Sequence, residues 1–478
     1  MKHWKHFSLI ALLGLGWHVR ADAQVANPTG TLAGAAVTDT GYVDLLAGLA
    51  YTDNSLLAAG HRSSDGIGTA GFSADYVRRG ELSLSLLGSV NRVEYLRGTF
   101  GGSFYGHFNG SAILGKPTDP LQWRLSDRFG EGTTDPLAAS TPLNLETIND
   151  VSTGPIVNLH FGLANRLTLF GLYSRTSYQR SPYDSQAFQG GAQFSHRLSG
   201  ASSLSFQASS ERIDYLNRVA AASRLGGSVS NFDIRQASLA YQGNLMRTLI
   251  LLRAGYNQLD YGAGVQHGAP LFGVMISHEV SPYSTVFLSG QQAYSSNGSS
   301  MGAPDQQAAL QAGGSVSPGY SIAQPYNLRS GAVGWNFDRA RTHLSLTGTI
   351  RQSVYAQTIG TINYDHRDEG FVAVLGRQLR PTVAVQLRAQ GYVDRYTGLH
   401  ARTEWESVRL TLSKRFARLA IGFYVERRHQ SGAPGVSNFL AASYSDDRIG
   451  LYFTYGLFGP GGVGAGIGAM QGVMGAGY

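Results

Sequence analysis

The fold is decided by stretches such as Val383-Ala384-Val385-Gln386-Leu387-Arg388-Ala389-Gln390, in which apolar side chains recur at every second position. A second stretch, Val408-Arg409-Leu410-Thr411-Leu412-Ser413, repeats the pattern. Successive side chains of a β-strand point to opposite faces, so each stretch has one apolar and one polar face. Both are therefore predicted to be amphipathic β-strands.

The same alternation recurs from about Tyr42 to Phe458, and the links between the predicted strands differ sharply in length. Nine links are very short and fit tight turns. They fall at Arg79-Gly80, Lys116 to Pro120, Asn165-Arg166, Ser199 to Ala201, Asn244 to Met246, Ser281 to Tyr283, Asp338 to Ala340, Arg380 to Thr382 and Ala417-Arg418. Longer polar links lie between them, among them Gly130 to Val151, Asp214 to Asn231 and Tyr294 to Tyr326.

Short turns that alternate with long loops are typical of an outer-membrane β-barrel, whose turns face the periplasm and whose loops face outward. Nine hairpins with one further strand at each end give about 20 strands, with about 18 as the alternative. A bilayer requires such closure, because every backbone polar group at bilayer depth needs a partner. The sequence thus predicts an all-β fold, a single large antiparallel transmembrane barrel.

The composition fits this prediction. The 478-residue chain contains 62 glycines, no cysteine and only 14% charged residues. Beyond its N-terminal region no apolar run reaches about 18 residues, so helical membrane spans are not expected. Without cysteine the chain has no thiolate metal site and no thiol nucleophile. Arginine supplies nearly all of the positive charge, yet no Lys/Arg cluster indicates nucleic-acid binding.

Both ends of the chain differ from its strand-rich middle. A basic region and the apolar stretch 7–17 precede Ala21-Asp22-Ala23, which resembles a signal-peptidase site. The final glycine-rich segment lacks the Lys-Ser/Thr ending and the helix of a phosphate-binding loop. The predicted organisation is a cleaved signal peptide at 1–23, a flexible lead at 24–40, the barrel at 41–458 and a Gly-rich tail at 459–478.

Six arginines fall on the polar faces of predicted strands. They are Arg124, Arg128, Arg197, Arg351, Arg388 and Arg409. As pore-lining residues they would favour anions in a wet lumen. The alternative is that they pair with inward acids such as Asp75, Glu211 and Glu426 and brace the wall. The sequence leaves both interpretations open.

Several tyrosines lie near predicted strand ends, where lipid-facing aromatic girdles are found in such barrels. They are Tyr51, Tyr95, Tyr178, Tyr215, Tyr355 and Tyr392.

The long link from Ser295 to Pro325 contains the apolar run Ala308-Ala309-Leu310. Such a run could pack inside the barrel, so this loop is a candidate to fold inward and constrict the lumen.

An outer-membrane hydrolase is a rival function. His107, His160 and His343 are predicted to point inward, but they lie on strands far apart in sequence and no Gly-x-Ser-x-Gly elbow is present. No His pair with metal-ligand spacing and no Asp-rich calcium loop occurs. Neither a catalytic residue nor a metal or other cofactor is predicted.

Two short motifs resemble a known group of barrels. The first, Tyr51-Thr52-Asp53-Asn54-Ser55-Leu56-Leu57, lies at the top of the first predicted strand. The second is the closing motif Tyr444-Ser445-Asp446-Asp447-Arg448-Ile449-Gly450-Leu451. With the signal peptide they look like the putative β-barrel porin 2 type, in particular the barrels associated with exosortase (PEP-CTERM) and exopolysaccharide loci. The resemblance implies an outer-membrane location and export of a surface polysaccharide, and it assigns no catalytic residue.

The predicted function is an outer-membrane pore or export channel for a polar solute or an exopolysaccharide. The solute would be an anion if the arginines set the selectivity of the pore. The alternative is a non-conducting structural barrel of a surface-polysaccharide or protein-sorting system. The expected partners are outer-membrane lipid, the outer-membrane assembly machinery and a polysaccharide, with no nucleic acid.

Overall fold

The computed structural model describes residues 40–58, 61–135, 138–139, 141–225, 229–262, 265–296, 319–320, 324–356, 363–433 and 443–458. The predicted signal peptide, the predicted lead up to residue 39 and the glycine-rich tail lie outside the described residues.

Most described residues belong to β-strands. The strands are β1 (Thr40–Thr52), β2 (Asp65–Arg78), β3 (Leu82–Tyr95), β4 (Ser103–Tyr105), β5 (Phe108–Leu114), β6 (Leu121–Thr133), β7 (Leu145–Phe161), β8 (Asn165–Tyr178), β9 (Ser185–Ser199), β10 (Ser202–Tyr215), β11 (Phe232–Leu245), β12 (Thr248–Asp260), β13 (Gln266–Ser281), β14 (Ser284–Ser295), β15 (Gly319–Tyr320), β16 (Tyr326–Arg339), β17 (Thr342–Tyr355), β18 (His366–Arg380), β19 (Val383–Tyr396), β20 (Ala401–Phe416), β21 (Leu419–Ala433) and β22 (Tyr444–Phe458). A short helix, α1 (Arg218–Leu225), follows β10. In the part of the chain that the structure describes, no helix is long and apolar enough to span a membrane.

The strands form one closed antiparallel barrel. Successive strands pair with each other, and β1 pairs with β22 to complete the ring, with Ala47 opposite Phe453. β4 and β5 both pair with β3 and share one position in the wall, whereas β15 lies outside the ring. The described strands therefore make a 20-stranded barrel, which confirms the predicted count over the alternative of 18.

All nine predicted tight turns lie at one end of the barrel, here called the turn end; the longer links lie at the opposite, loop end. One turn is displaced from its predicted position. Asn165 and Arg166 already pair in β8, opposite Phe161 and His160. The reversal occurs earlier, at Gly162, whose φ of +69° is a left-handed conformation that glycine adopts without steric cost.

The outer face of the barrel is apolar over the middle of the strands. Large aliphatic and aromatic side chains there are two-fifths or more exposed. They include Leu49, Phe206, Leu239, Leu288, Val333, Phe371, Leu387, Leu410, Phe423 and Leu451. A continuous apolar band of this extent is unfavourable in water and favourable against hydrocarbon, so this face contacts lipid.

A charge introduced into this band should be costly. Leu410 lies mid-strand on the outer face of β20, between Val408 and Leu412. Leu410→Arg is expected to lower the free energy of unfolding in phospholipid vesicles by about 2–4 kcal/mol, as for a cation at the bilayer midplane. Phe416→Arg, at the turn end of the same strand, should cost only about 0–1 kcal/mol. Equal costs in urea titrations would contradict a lipid-facing band.

Candidate functional site: the inner wall of the barrel

The six predicted arginines occupy inward positions of their strands but do not form a ring. Arg124 and Arg128 lie on β6, Arg197 on β9, Arg351 on β17, Arg388 on β19 and Arg409 on β20. Only Arg388 and Arg409 are direct cross-strand neighbours. Arg197 is exposed near the turn end, away from the others. Their role in lining a conduction path stays a prediction.

Charged side chains cross four neighbouring strands on the inner wall. In the pairing register Arg388 lies opposite Arg409, Arg409 opposite Glu426, and Glu426 opposite Arg448. Two residues further along β21, Arg428 lies opposite an acid of β22. The charged row is defined as Arg388, Arg409, Glu426, Arg428, Asp446 and Arg448; each is at most 5% exposed.

Direct contacts link the charged row. Glu426 Oε2 accepts from Arg409 Nη2 at 2.7 Å and from Arg428 Nη2 at 3.0 Å, while Ser407 Oγ donates to Glu426 Oε1 at 2.8 Å. Arg448 Nε donates to Asp446 Oδ2 at 2.5 Å. Removing one partner from such a buried pair leaves an uncompensated charge, which is strongly destabilising. The pair of Arg409 and Glu426 therefore ties β20 to β21 from inside, whereas the other two pairs lie within β21 and within β22.

Two tyrosines cover the charged row by packing against glycines. Tyr452 lies opposite Gly422, and Tyr424 lies opposite Gly450. A Cβ at Gly422 would lie 2.0 Å from Tyr452 Cζ, and one at Gly450 would lie 2.4 Å from Tyr424 Cε1. Glycine therefore lets both rings lie flat on the wall. The Arg409 guanidinium lies 4.5 Å from the Tyr424 ring centroid, in a cation–π contact.

A second ion pair braces the opposite wall. Arg128 Nη2 lies 2.9 Å from Asp150 Oδ2, and Thr176 Oγ1 donates to Asp150 Oδ1 at 2.9 Å. Of the three acids predicted as partners, Glu426 is ion-paired. Asp75 and Glu211 form no ion pair with a described residue. For Arg128 and Arg409 the contacts favour bracing over a free anion-attracting role.

A circular barrel of 20 strands would be about 40 Å across, from a strand spacing of about 4.8 Å and a tilt of about 40°. β6 and β16 are nine positions apart around the ring, almost diametrically opposed. In a circular barrel their loop ends would lie nearly this full width apart.

Strand β15 belongs to the link between β14 and β16, yet it pairs with the opposite wall. Gly319 and Tyr320 run parallel to Gly132 and Thr133 at the loop end of β6. Six residues lead from Tyr320 to Tyr326, the first residue of β16, and they span at most about 21 Å. The loop ends of β6 and β16 therefore lie closer together than in a circular barrel, so the barrel is flattened at its loop end. Constriction of the lumen by the loop from Ser295 to Pro325 stays a prediction. Its apolar run at 308–310 lies outside the described residues.

The predicted tyrosine girdle is wrong for five of its six members. Tyr95, Tyr178, Tyr215, Tyr355 and Tyr392 face inward, and of the six only Tyr51 is exposed on the outer face, at 47%. Several of the inward rings pack against other aromatic rings. The ring centroids of Tyr326 and Tyr355 are 5.2 Å apart, and those of Tyr392 and Trp405 are 5.1 Å apart. Inward tyrosines also begin or end other strands at the loop end, among them Tyr396 and Tyr444. Outward aromatic side chains are instead supplied by Trp123, Phe161, Phe416, Tyr455, Tyr173 and Tyr256.

The histidines do not form a catalytic group. His343 Nδ1 lies 2.6 Å from Asp338 Oδ1 beside a tight turn, His160 lies opposite Arg166, and His107 lies in the loop-end half of another wall. Among the described residues, no group of three or more His, Cys, Asp or Glu residues is placed to hold a metal ion.

Three members of the inner wall were not predicted from the sequence: Arg428, Asp446 and Arg448. The signal was present, because alternation from Glu426 places Arg428 on the same face of β21. What the sequence did not show is the register that brings Arg428 opposite Asp446.

Comparisons with known proteins give only weak similarities to solved structures. No family model and no curated protein matches the chain. Similar solved structures include the siderophore receptor PirA from Acinetobacter baumannii (10% identity, 88% of this chain and 81% of that one, TM-score 0.44) and the ferric enterobactin receptor PfeA (10%, 87% and 82%, 0.42). Pseudomonas aeruginosa OpdF, crystallised with glucuronate, is also similar (11%, 87% and 98%, 0.37). At these identities and TM-scores the similarity indicates no shared solute. The resemblance to exosortase-associated barrels stays a prediction.

Proposed function

We propose that the protein is an outer-membrane channel for small polar solutes. The observation that carries this proposal is the closed barrel whose outer band is apolar and whose inner wall is lined with Ser, Thr, Gln and charged side chains. Water and polar solutes are stabilised against such a wall, whereas hydrocarbon is stabilised outside it. The loop end faces the exterior and the turn end faces the periplasm, as in barrels of this kind.

The flattened cross-section favours a small solute over a bulky polysaccharide chain. β15 at the loop end reduces the free width there. Export of an exopolysaccharide would require the link that carries β15 to move aside. A small polar solute requires only gaps between side chains.

Planar-bilayer recording of the refolded full-length protein tests the proposal. We expect stepwise currents in lipid free of other porins. A barrel that stays silent, even after the link between β14 and β16 is shortened, would contradict the channel. It would favour the second candidate, a structural barrel. That candidate has its own support in the charged row, which is buried and cross-braced rather than open to water.

Charge selectivity tests the role of the arginines. Arg351→Ser and Arg388→Ser are expected to shift the anion-to-cation permeability ratio toward unity, because each removes a positive charge from the inner wall. Arg402→Gln removes a positive charge from the outer face and should leave the permeability ratio unchanged. An unaltered ratio in the first two variants would mean that these arginines are structural.

A further inference from the structure

Four arginines form one cross-strand row on the outer face at the loop end. Arg367 lies opposite Arg395, and Arg395 lies opposite Arg402. On the other side Arg367 lies opposite Gln352, which lies opposite Arg329. The outer arginine patch is defined as Arg329 on β16, Arg367 on β18, Arg395 on β19 and Arg402 on β20.

The patch points away from the lumen. The residues that alternate with it, including His366, Tyr396 and Ala401, face inward and are at most 6% exposed. The side chains of Arg367, Arg395 and Arg402 are 49%, 48% and 50% exposed. Four residues further along β18, Phe371 begins the apolar band. The guanidinium groups therefore lie at the height where hydrocarbon gives way to lipid headgroups.

Positive charge exceeds negative charge in the patch. Glu369 contacts Arg367 Nη2 at 2.6 Å and Arg395 Nη2 at 3.3 Å, and Glu404 pairs with Arg402. These two carboxylates contact three of the four guanidinium groups, and Arg329 forms no ion pair with a described residue. Like charges directly opposite each other destabilise a sheet, so an anion shared by neighbouring arginines would stabilise this one.

We propose that the outer arginine patch binds the phosphate groups of lipopolysaccharide in the outer leaflet. Arginine recognises phosphate through paired, charge-assisted hydrogen bonds, and neighbouring strands present the guanidinium groups about 5 Å apart. The acyl chains of the same molecule would lie along the apolar band below. This site rests on the outer-membrane location in the proposed function, but it does not require that the lumen conducts.

Another part of the outer face supplies a matched control. Arg212 and Arg235 also lie on the outer face at the loop end, on β10 and β11. Arg212 lies 3.2 Å from Asp214, and Arg235 lies 3.5 Å from Asp233 and 3.7 Å from Asp260. Here carboxylates outnumber guanidinium groups, so no binding of phosphate is expected.

The test compares two variants of the refolded full-length protein in detergent. Binding of bisphosphorylated lipid A, of the same lipid without phosphates and of inorganic phosphate is measured by native mass spectrometry and titration. The variant Arg367→Gln/Arg395→Gln/Arg402→Gln is expected to weaken binding of the phosphorylated lipid by about tenfold or more, because several charge-assisted hydrogen bonds are lost. Arg212→Gln/Arg235→Gln should bind like the wild type. Unchanged heat-dependent gel mobility confirms that both variants are folded.

Three outcomes would overturn the proposal: equal binding by the triple variant, equal binding of the dephosphorylated lipid, or displacement of lipid A by an equal concentration of inorganic phosphate. The last would identify a free-phosphate site instead. Conductance of the same preparations in lipopolysaccharide-free bilayers tests the channel separately. A silent barrel that still binds the phosphorylated lipid would contradict the channel and leave this site standing.

Discussion

Glu426→Gln is expected to lower the free energy of unfolding by about 3–5 kcal/mol, the range for breaking a buried ion pair by removal of one partner. Glutamine keeps the size of the side chain but removes the charge that Arg409 and Arg428 share at 2.7 and 3.0 Å. Two arginines on neighbouring strands, 4% and 0% exposed, would then lose the carboxylate that they share. Urea unfolding in phospholipid vesicles, followed by tryptophan fluorescence, measures the change.

Glu404→Gln is the matched control for this experiment. Glu404 lies on β20, next to the strand that carries Glu426, but it faces outward and pairs with Arg402 where both side chains are about half-exposed. Exposed pairs contribute about 0–1 kcal/mol, so this variant should unfold close to the wild type. If both variants lost the same stability, the pair of Arg409 and Glu426 would not tie β20 to β21 from inside.

Shortening the link between β14 and β16 is expected to raise single-channel conductance several-fold. Replacing residues 297–323 by a short Gly-Ser turn removes β15 and with it the pairing of Gly319 and Tyr320 with Gly132 and Thr133. Since the current through a pore is limited by its narrowest part, removal of a segment that crosses the loop end should widen the path. Planar-bilayer recording measures the step size.

A deletion at the same end of the barrel controls for loop loss in general. Residues 435–441 connect the directly paired strands β21 and β22. Their replacement by a similar turn should leave the step size unchanged. An unchanged step size in the 297–323 variant as well would show that this link does not form the narrowest part of the lumen.

The inner wall illustrates why some predictions from sequence failed. Tyr355 follows Arg351 and Ser353 in steps of two, and Tyr392 follows Arg388 and Gln390 in the same way. Alternation therefore placed both tyrosines on the polar face, while their position near strand ends favoured a lipid-facing girdle. The structure agrees with alternation, because the pleat of a strand continues to its last paired residue.

The sequence by itself determined the barrel, its 20 strands and the end at which its nine tight turns lie, because alternation and turn residues act over only a few neighbours along the chain. It also identified the six inward arginines by position. Only the tertiary structure decided which of them are paired. The register across β19 to β22 brings Arg409 opposite Glu426 and Arg428 opposite Asp446, and it aligns three arginines on the outer face. Pairings between strands and between opposite walls depend on distances that no local pattern encodes.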